Sequence, residues 1–336
     1  MGALRLKTTL WLSLAAGIAV MLALALLADF GETLRAVGGM QVAWLPLLIL
    51  FSLANYATRW LKWEYFLRLL SLRLPARDSI GVFIGGFTFS ITPGKLGEVF
   101  KAFLLKEIKG VPVARSAPVV FAERFTDLGG LLILASVGVG SSGRGGVAWL
   151  AGIIFLGLLF GLLSVRRFET IFVRLLGRLK PLQRFAEPAG RALDSARILL
   201  KPRNLPGLML LSAASWFWEC WALVYAVKAF GADLALAQAI FIYAIATLAG
   251  ALVFLPGGLG VTEGSLAMLL AIAGLAPGQA AAATLVIRLT TLWFAVGIGL
   301  LALYDLDRRW HLGSKLWGGL RSDERETLPE PGRSGS

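Results

Sequence analysis

Residues 92–98 read TPGKLGE and residues 255–263 read LPGGLGVTE, and both stretches interrupt strongly apolar sequence. Each carries a proline-glycine pair, then a leucine-glycine pair and a glutamate. An arginine follows Pro93 after 31 residues and Pro256 after 32 residues. Proline and glycine break helices, and broken backbone survives inside a membrane only where protein or a water-filled cavity satisfies it. Two matched breaks, one in each half of the chain, indicate a transport site between repeats.

The composition indicates an integral membrane protein. Of the 336 residues, 57% are hydrophobic and 16% are charged, which excludes a disordered chain and argues against an ordinary soluble domain. Long uncharged runs suit membrane crossings, which need about 20 residues. The runs lie at residues 8–28, 41–58, 145–165, 204–218, 234–262 and 264–287. The first run is too long for a signal peptide and lacks a small-x-small cleavage site, so we interpret it as a retained helix.

The net charge of +13 is best explained by the placement of basic loops on one side of a membrane. In a soluble protein it would suggest nucleic acid, but here the cations lie in loops between apolar runs, so we expect no nucleic-acid partner. Residues 166–203 hold ten Lys or Arg residues against three acids. Basic loops stay in the cytoplasm, where they also meet anionic lipid head groups. The pattern therefore predicts a multi-pass protein with both termini in the cytoplasm.

The sequence offers little for catalysis or metal binding. Its one cysteine, Cys220, lies in an apolar run, so no intrachain disulfide is available. Its one histidine, His311, lies in the polar tail, which excludes a histidine-based active site. We therefore expect no catalytic residue, no metal and no cofactor, and we predict that the protein is not an enzyme.

We predict an all-α, polytopic membrane protein with about six full spans and two re-entrant helical hairpins in inverted repeats. The predicted segments are an N-terminal span and outer loop (1–40), a first repeat (41–140) with a hairpin at 79–108, a connecting span and basic cytoplasmic loop (141–203), a second repeat (204–304) with a hairpin at 234–276, and a partly disordered cytoplasmic tail (305–336). Charge counting alone allows 234–276 to be a hairpin or two crossings. The match with the first hairpin favours the hairpin.

The repeat extends beyond the proline-glycine stretches. A Trp-Glu pair precedes them at residues 63–64 and 218–219, and an Arg-x-Thr pattern follows them at residues 124–126 and 288–290. The interval from the glutamate to the proline is 29 residues in one half and 37 in the other. The repeat is therefore degenerate in that interval.

Arg124 lies beside two acids, because Glu123 and Asp127 are spaced to share neighbouring faces of one helix with it. One interpretation is a structural ion cluster near the cytoplasmic interface. The other is that Arg124 holds a phosphate while the acids orient it.

Arg288 lies about ten residues inside an apolar run with no acid near it in sequence. A charge at that depth is costly, so it needs a partner: Glu263, Glu219 or a substrate phosphate. Half-helices that begin at Pro93 and near Gly260 would also direct unpaired N–H groups at an anion. The glutamate of each stretch is either a proton carrier or a partner that neutralises an arginine in the empty site.

Together, PGKLGE (93–98), AERFTDL (122–128) and LPGGLGVTEG (255–264) resemble the lysylphosphatidylglycerol synthase transmembrane-domain family of flippase-like membrane proteins, over about residues 41–304. The resemblance implies a bacterial inner-membrane protein that moves a lipid or lipid-linked head group between leaflets. Larger members append a soluble synthase domain; only a short tail follows Tyr304, so we do not expect aminoacyl transfer. The family's functional positions correspond to Pro93, Gly94, Gly97, Glu98, Glu123, Arg124, Pro256, Gly257, Gly260, Glu263 and Arg288.

The leading hypothesis is a lipid transporter whose partners are membrane lipids with an anionic head group. Two alternatives stay open: an intramembrane lipid-modifying enzyme that uses Glu98, Glu263 or Asp127 as acid or base, and a non-catalytic accessory factor of envelope-lipid biosynthesis. A homo-oligomer or a partner from that pathway is compatible with either. The candidate substrate-binding residues are the eleven family positions and Asp127.

Overall fold

A computed structural model of the protein describes residues 3–92, 99–142, 146–164, 186–252 and 258–312. In these ranges the chain forms helices joined by short turns and contains no β-strand. The all-α fold class is therefore confirmed for the part of the chain that is described.

The described residues up to 164 form seven α-helices and two turns of 3-10 helix. The α-helices are α1 (Ala3–Leu27), α2 (Phe30–Gly38), α3 (Leu45–Leu69), α4 (Ala76–Gly85), α5 (Phe100–Lys109), α6 (Val113–Ser142) and α7 (Gly146–Ser164). One 3-10 turn, Val42–Trp44, precedes α3, and the other, Gly86–Phe89, extends α4.

The described residues from 186 onward form six more α-helices. They are α8 (Ala186–Leu199), α9 (Leu205–Lys228), α10 (Leu236–Leu252), α11 (Val261–Ile272), α12 (Pro277–Arg288) and α13 (Phe294–Trp310). A π-helical turn, Leu289–Trp293, joins α12 to α13. The segment from Pro277 to Trp310 is therefore helical over 34 residues.

Two units of the chain share one order of helices. The first unit (residues 45–142) comprises α3–α6, and the second unit (residues 205–310) comprises α9–α13. In each unit a long helix is followed by two shorter helices and then by a second long helix.

Helices α3 and α9, which begin the two units, pack against each other in opposite directions. The side-chain amide of Asn55 donates to the carbonyl of Ser215 at 2.7 Å, and the hydroxyl of Tyr65 donates to the side chain of Asn204 at 3.4 Å. As residue numbers rise along α3, the contacted residues therefore fall along α9. The central helix pair is antiparallel.

Three described helical segments are long and apolar enough to cross a membrane: Val42–Leu69, Leu205–Lys228 and Pro277–Trp310. A fourth crossing is counted if Leu14–Leu27 and Phe30–Gly38, which are bent by 101°, form one span. The multi-pass membrane character is thus confirmed, whereas the count of six stays a prediction. Helix α6 has 30 residues, but four charged side chains lie in its first half.

Each predicted hairpin contains two helices separated by a break. Residues 79–108 include most of α4 and α5, and residues 234–276 include α10 and α11. Turn conformation borders both breaks, at residues 90–92 and 258–260. Neither hairpin segment is one continuous helix.

Buried apolar side chains form two clusters. The first surrounds the beginning of α3, the end of α9 and helices α10–α12, whereas the second surrounds the end of α3, α4, α5, the beginning of α6 and α13. Along α6, buried Glu123, Thr126 and Asp127 lie between Val119 of the second cluster and Leu131 of the first. The buried ionisable side chains of α6 thus occupy a polar layer between two apolar regions.

The predicted loop after the first span contains a helix. Asp29 caps α2, because its carboxylate accepts the backbone N–H of Glu32 at 3.0 Å. Helix α2 then lies against α12, where Gly278 has the backbone of Glu32 and Thr33 next to its Cα. The segment predicted as an outer loop therefore contains a helix that packs against α12, and its position outside the membrane stays a prediction.

Helix α3 extends ten residues beyond its predicted end near Arg59. Lys62, Trp63 and Phe66 are all essentially fully buried, at a spacing that keeps them on neighbouring faces of one helix. Lys62 therefore lies inside the protein, although a cation after an apolar run usually marks a cytoplasmic loop.

Helix α8 occupies the end of the predicted basic loop at residues 141–203 and packs against α6. Helix α13 continues six residues into the predicted tail at 305–336. The expected disorder of the tail concerns residues 313–336, which lie outside the described residues.

Candidate functional site

A cavity of about 100 Å³ lies where the two units meet. Three arginines line it: Arg59 from α3, Arg124 from α6 and Arg288 from the end of α12. Glu219 from α9 lines it as well. One ordered water needs about 10–15 Å³ of cavity volume, so this cavity has room for several waters or a small polar group.

The guanidinium group of Arg59 lies between two aromatic rings. It is 5.3 Å from the ring centre of Phe87 and 5.9 Å from that of Trp216. Such contacts contribute about 0.5–2 kcal/mol each and leave the edge of the planar group available for hydrogen bonds. The buried Nε of Arg59 has no hydrogen-bond partner among the described residues. A ligand with acceptor oxygens would satisfy it.

Arg288 is paired with Glu263, one of the three partners that the sequence suggested. The Nε of Arg288 donates to the Oε1 of Glu263 at 2.6 Å. The Oε2 of Glu263 accepts the backbone N–H of Gly260 at 2.7 Å, which caps the start of α11. Gly260 has φ +87°, a conformation that glycine adopts without strain. Glu263 thus neutralises Arg288 and fills the helix N-terminus where we had expected an anion.

The π-helical turn after Arg288 is held by donors from α3. The hydroxyl of Ser52 donates to the carbonyl of Thr290 at 2.8 Å, and the hydroxyl of Tyr56 donates to that of Thr291 at 2.5 Å. A π turn disturbs the regular helical bonding, so carbonyls there accept outside partners. These bonds fix the end of α12, and with it Arg288, against the first unit.

Asp127 joins α6 to both α3 and α9. Its carboxylate forms an ion pair with Lys62, and its second oxygen lies 3.2 Å from Arg124. Lys62 is 0% exposed and also donates to Ser212 at 2.8 Å. Because α6 begins at Val113, these groups lie near the middle of a long helix, not in the first turns of a span. The ion cluster is therefore buried between the units.

Glu123 has a separate partner on α5. Its Oε2 lies 2.5 Å from the ammonium of Lys101, and both side chains are almost completely buried. The same ammonium lies 4.8 Å from the ring centre of Trp63 and 5.4 Å from that of Phe83. This pair connects the second short helix of the first unit to the long helix that follows.

The glutamates of the two Trp-Glu pairs make similar hydrogen bonds, although Glu219 is buried and Glu64 is half-buried. In the first unit Glu64 accepts a hydrogen bond from the hydroxyl of Ser79 on α4, and in the second unit Glu219 accepts one from the hydroxyl of Tyr243 on α10. Each glutamate therefore connects the first long helix of its unit to the first short helix. Of the two carboxylates, Glu219 is the one that lines the cavity.

The predicted site residues are only partly described. Arg124 and Arg288 line the same cavity. Glu263 contacts Arg288 and also accepts the backbone N–H of Gly260. Glu123 and Asp127 form ion pairs along α6. The other candidates lie outside the described residues: Pro93, Gly94, Gly97, Glu98, Pro256 and Gly257. Next to that last group, Gly258 and Thr262 line the cavity.

Sequence reasoning missed Arg59, Lys62 and Lys101 as members of the buried charge network. For Arg59 and Lys62, a usable signal was present, since large apolar residues continue at helical spacing through residues 60–67. For Lys101 the sequence places a cation on a helix that also carries Lys106 and Lys109, without indicating which of them is buried or what its partner is.

Comparisons with known proteins identify the family of this sequence. A UPF0104 membrane protein of Methanothermobacter thermautotrophicus is 27% identical over 304 residues, covering 84% of this chain and 90% of its own. A UPF0104 membrane protein of Methanocaldococcus jannaschii is 24% identical over 230 residues, covering 66% of this chain and 95% of its own. The sequence profile of the lysylphosphatidylglycerol synthase TM region matches residues 11–299. The chain therefore belongs to the lysylphosphatidylglycerol synthase transmembrane-region family of integral membrane proteins.

Proposed function

We propose that the protein is a lipid transporter that moves an anionic phospholipid or lipid-linked head group between the two leaflets of a membrane. The observation that carries this proposal is the cavity between the units, which is lined by Arg59, Arg124 and Arg288. Charged groups are costly at membrane depth, so three of them at one cavity indicate a functional role. The planar guanidinium fork of arginine matches the geometry of a phosphate.

The proposed architecture consists of two inverted repeats, each with a re-entrant hairpin, at 79–108 and 234–276. The shared order of helix lengths supports this, as does the antiparallel packing of α3 and α9. The corresponding hydrogen bonds of Glu64 and Glu219 support it as well. Transport folds with inverted repeats place their substrate site between the repeats, where broken helices meet.

The proposed orientation places the end of α3 and the start of α9 on the cytoplasmic side of a bacterial inner membrane, together with both chain termini. Exposed cations gather at that end of the helices, as the positive-inside rule requires. They are Arg68, Arg73, Arg77, Lys201 and Arg203. The opposite end carries the exposed acids Asp29, Glu32 and Asp233.

In the proposed mechanism the head group enters the cavity while the acyl or isoprenoid chains stay in the surrounding hydrocarbon. The arginines hold the phosphate, and Gly258 in the cavity lining lets backbone approach it closely. Rocking of one unit against the other would expose the cavity to each leaflet in turn. The proposed partners are thus anionic membrane lipids.

A transfer assay in proteoliposomes tests the proposal. Fluorescent phosphatidylglycerol is incorporated in phosphatidylcholine vesicles, and dithionite quenches only the label in the outer leaflet. We expect Arg59→Gln and Arg124→Gln each to slow transfer by about tenfold or more, because a charge-assisted hydrogen bond contributes about 1.5–3 kcal/mol. Neither change removes the buried pair of Arg288 with Glu263.

The matched controls are Arg68→Gln on α3 and Arg115→Gln on α6. Both lie on the same helices as the tested arginines and outside the cavity lining, so we expect transfer close to that of the unmodified protein. Unchanged transfer by Arg59→Gln and Arg124→Gln would refute the proposal. A new lipid product in the mass spectrum of the vesicles would instead favour an enzyme.

A further inference from the structure

Glu219 differs from the other buried acids of the site. Glu263 is paired with Arg288, Asp127 with Lys62, and Glu123 with Lys101. Glu219 is only 6% exposed, yet it lines the cavity, and its hydrogen-bond donor is the neutral hydroxyl of Tyr243. The described residues place no lysine or arginine at ion-pair distance from it.

The charged and titratable groups around Glu219 come from every helix that borders this part of the cavity. Burial removes water from its ionised carboxylate, whereas Arg59 and Arg288 attract the carboxylate from a distance and Asp127 repels it. The surrounding groups are Tyr56 and Arg59 on α3, Arg124 and Asp127 on α6, Cys220 on α9 itself, Tyr243 on α10 and Arg288 on α12. Arg124 and Arg288 already lie beside acids of their own, whereas the described residues give Arg59 no ion pair, so Arg59 is the main cavity cation that can balance an ionised Glu219 in the empty site.

An anionic head group in this cavity would compete with Glu219 for the same cations. Two negative charges enclosed in a small cavity repel each other strongly, since the protein interior screens charge much less than water. A neighbouring anion favours the neutral form of a carboxyl group. Glu219 is the group that can respond, because each of the other three acids keeps its own cation.

We propose that Glu219 is the proton-binding group of the transport site, and that its carboxylate takes up one proton when an anionic head group binds. The proton comes from water and forms an O–H bond on Glu219, and it is released when the head group leaves. The inference rests on the proposed function, because it requires a bound anion. A phosphodiester carries one negative charge. Binding of the head group together with one proton therefore leaves the net charge of the site unchanged.

The first unit supplies a matched control. Glu64 corresponds to Glu219 in the Trp-Glu repeat and likewise accepts a hydrogen bond from a hydroxyl, that of Ser79. It does not belong to the cavity lining. A head group in the cavity should therefore leave Glu64 unaffected, and Glu64→Gln should behave like the unmodified protein.

The experiment is isothermal titration calorimetry of the full-length protein in detergent with dihexanoyl phosphatidylglycerol at pH 8. Each titration is run in two buffers of different ionisation enthalpy, and the difference in heat gives the protons taken up per lipid bound. The probe's phosphodiester binds no proton at this pH. We expect uptake of about one proton for the unmodified protein and for Glu64→Gln, since each retains Glu219.

Glu219→Gln should bind the same lipid without proton uptake and about tenfold more tightly, because the competing anion is gone. Binding by the unmodified protein without proton uptake would overturn the inference and leave the transport function intact. Persistent uptake by Glu219→Gln would also overturn it. If the lipid fails to bind, or Arg59→Gln binds it equally well, the proposed function fails together with the inference. The proton count of the unmodified protein needs no variant, so a misfolded Glu219→Gln would not block the test.

Discussion

The ion pair between Glu263 and Arg288 allows a quantitative test of how the second unit is held together. Glu263 is 0% exposed and Arg288 is 7% exposed, and their nearest side-chain atoms are 2.6 Å apart. We expect Glu263→Gln to destabilise the protein, because the buried charge of Arg288 then loses the carboxylate of Glu263. The glutamine amide oxygen can still accept the N–H of Gly260, so the cap of α11 is kept.

The expected magnitude follows from this geometry. Removing one partner of a buried ion pair costs about 3–5 kcal/mol. Arg288 also lines the cavity, where water can partly solvate it, so we expect Glu263→Gln to cost about 3 kcal/mol, the lower end of that range. Glu263→Ala also removes the cap and should cost about 1 kcal/mol more.

A double-mutant cycle isolates the pair from other effects. Arg288→Met alone leaves Glu263 as an unpaired buried acid, whereas the double variant leaves no unpaired charge. We therefore expect the double variant to lose less stability than the sum of the single changes, by about 2 kcal/mol. Unfolding in mixed micelles of detergent and sodium dodecyl sulfate, followed by tryptophan fluorescence, measures the three losses.

The control for this cycle is an exposed ion pair in the same protein. Glu187 and Arg191 form an i, i+4 pair on α8, and the side chain of Glu187 is 80% exposed. Glu187→Gln should change the stability by less than about 0.5 kcal/mol, because water already solvates both groups. Strictly additive losses for Glu263→Gln and Arg288→Met would refute the argument that these residues neutralise each other.

Two further predictions concern packing and topology. Gly299→Ala should lower stability by about 1–3 kcal/mol in the same unfolding assay. The added Cβ would lie 2.6 Å from a backbone nitrogen of the 3-10 turn after α4. Gly297→Ala is the control and should leave stability unchanged, because its added Cβ meets nothing within 4 Å. The hairpin at 234–276 is tested with single cysteines introduced at Asp233, Ala276 or Lys201 of a cysteine-free variant. A membrane-impermeant thiol reagent should reach positions 233 and 276 from one side of the membrane and position 201 from the other. Reaction of positions 233 and 276 from opposite sides would contradict the hairpin.

The sequence was sufficient to predict that each hairpin segment contains two helices, and it named Glu263 among the candidate partners of Arg288. Proline and glycine act on the backbone where they stand, so a local pattern identifies the interruptions in each unit. The partner of Arg288 was among the three candidates because a charge inside an apolar segment needs compensation. The choice of Glu263 over Glu219 required the structure, since it depends on how α11 and α12 pack against each other.

The partners of Lys62 could not be read from its own segment. A lysine after an apolar run usually marks a cytoplasmic loop, so local charge counting assigned it to topology. Its environment is instead created by Asp127 and Ser212, which lie 65 and 150 residues further along the chain. Helix α2 is a second case, because one face of this amphipathic helix packs against α12, which lies far away in the sequence.

The ion pairs of the two units suggest which parts of the protein move together. In the first unit Lys101 on α5 pairs with Glu123 on α6, and in the second unit Glu263 on α11 pairs with Arg288 on α12, with the two charges exchanged between the helices. Separating such a pair would leave two uncompensated charges at membrane depth. Each second short helix should therefore move as one body with the long helix that follows it. A transport cycle that keeps both pairs intact has to open the cavity between the units, where α3 meets α9, and not by unfolding either hairpin.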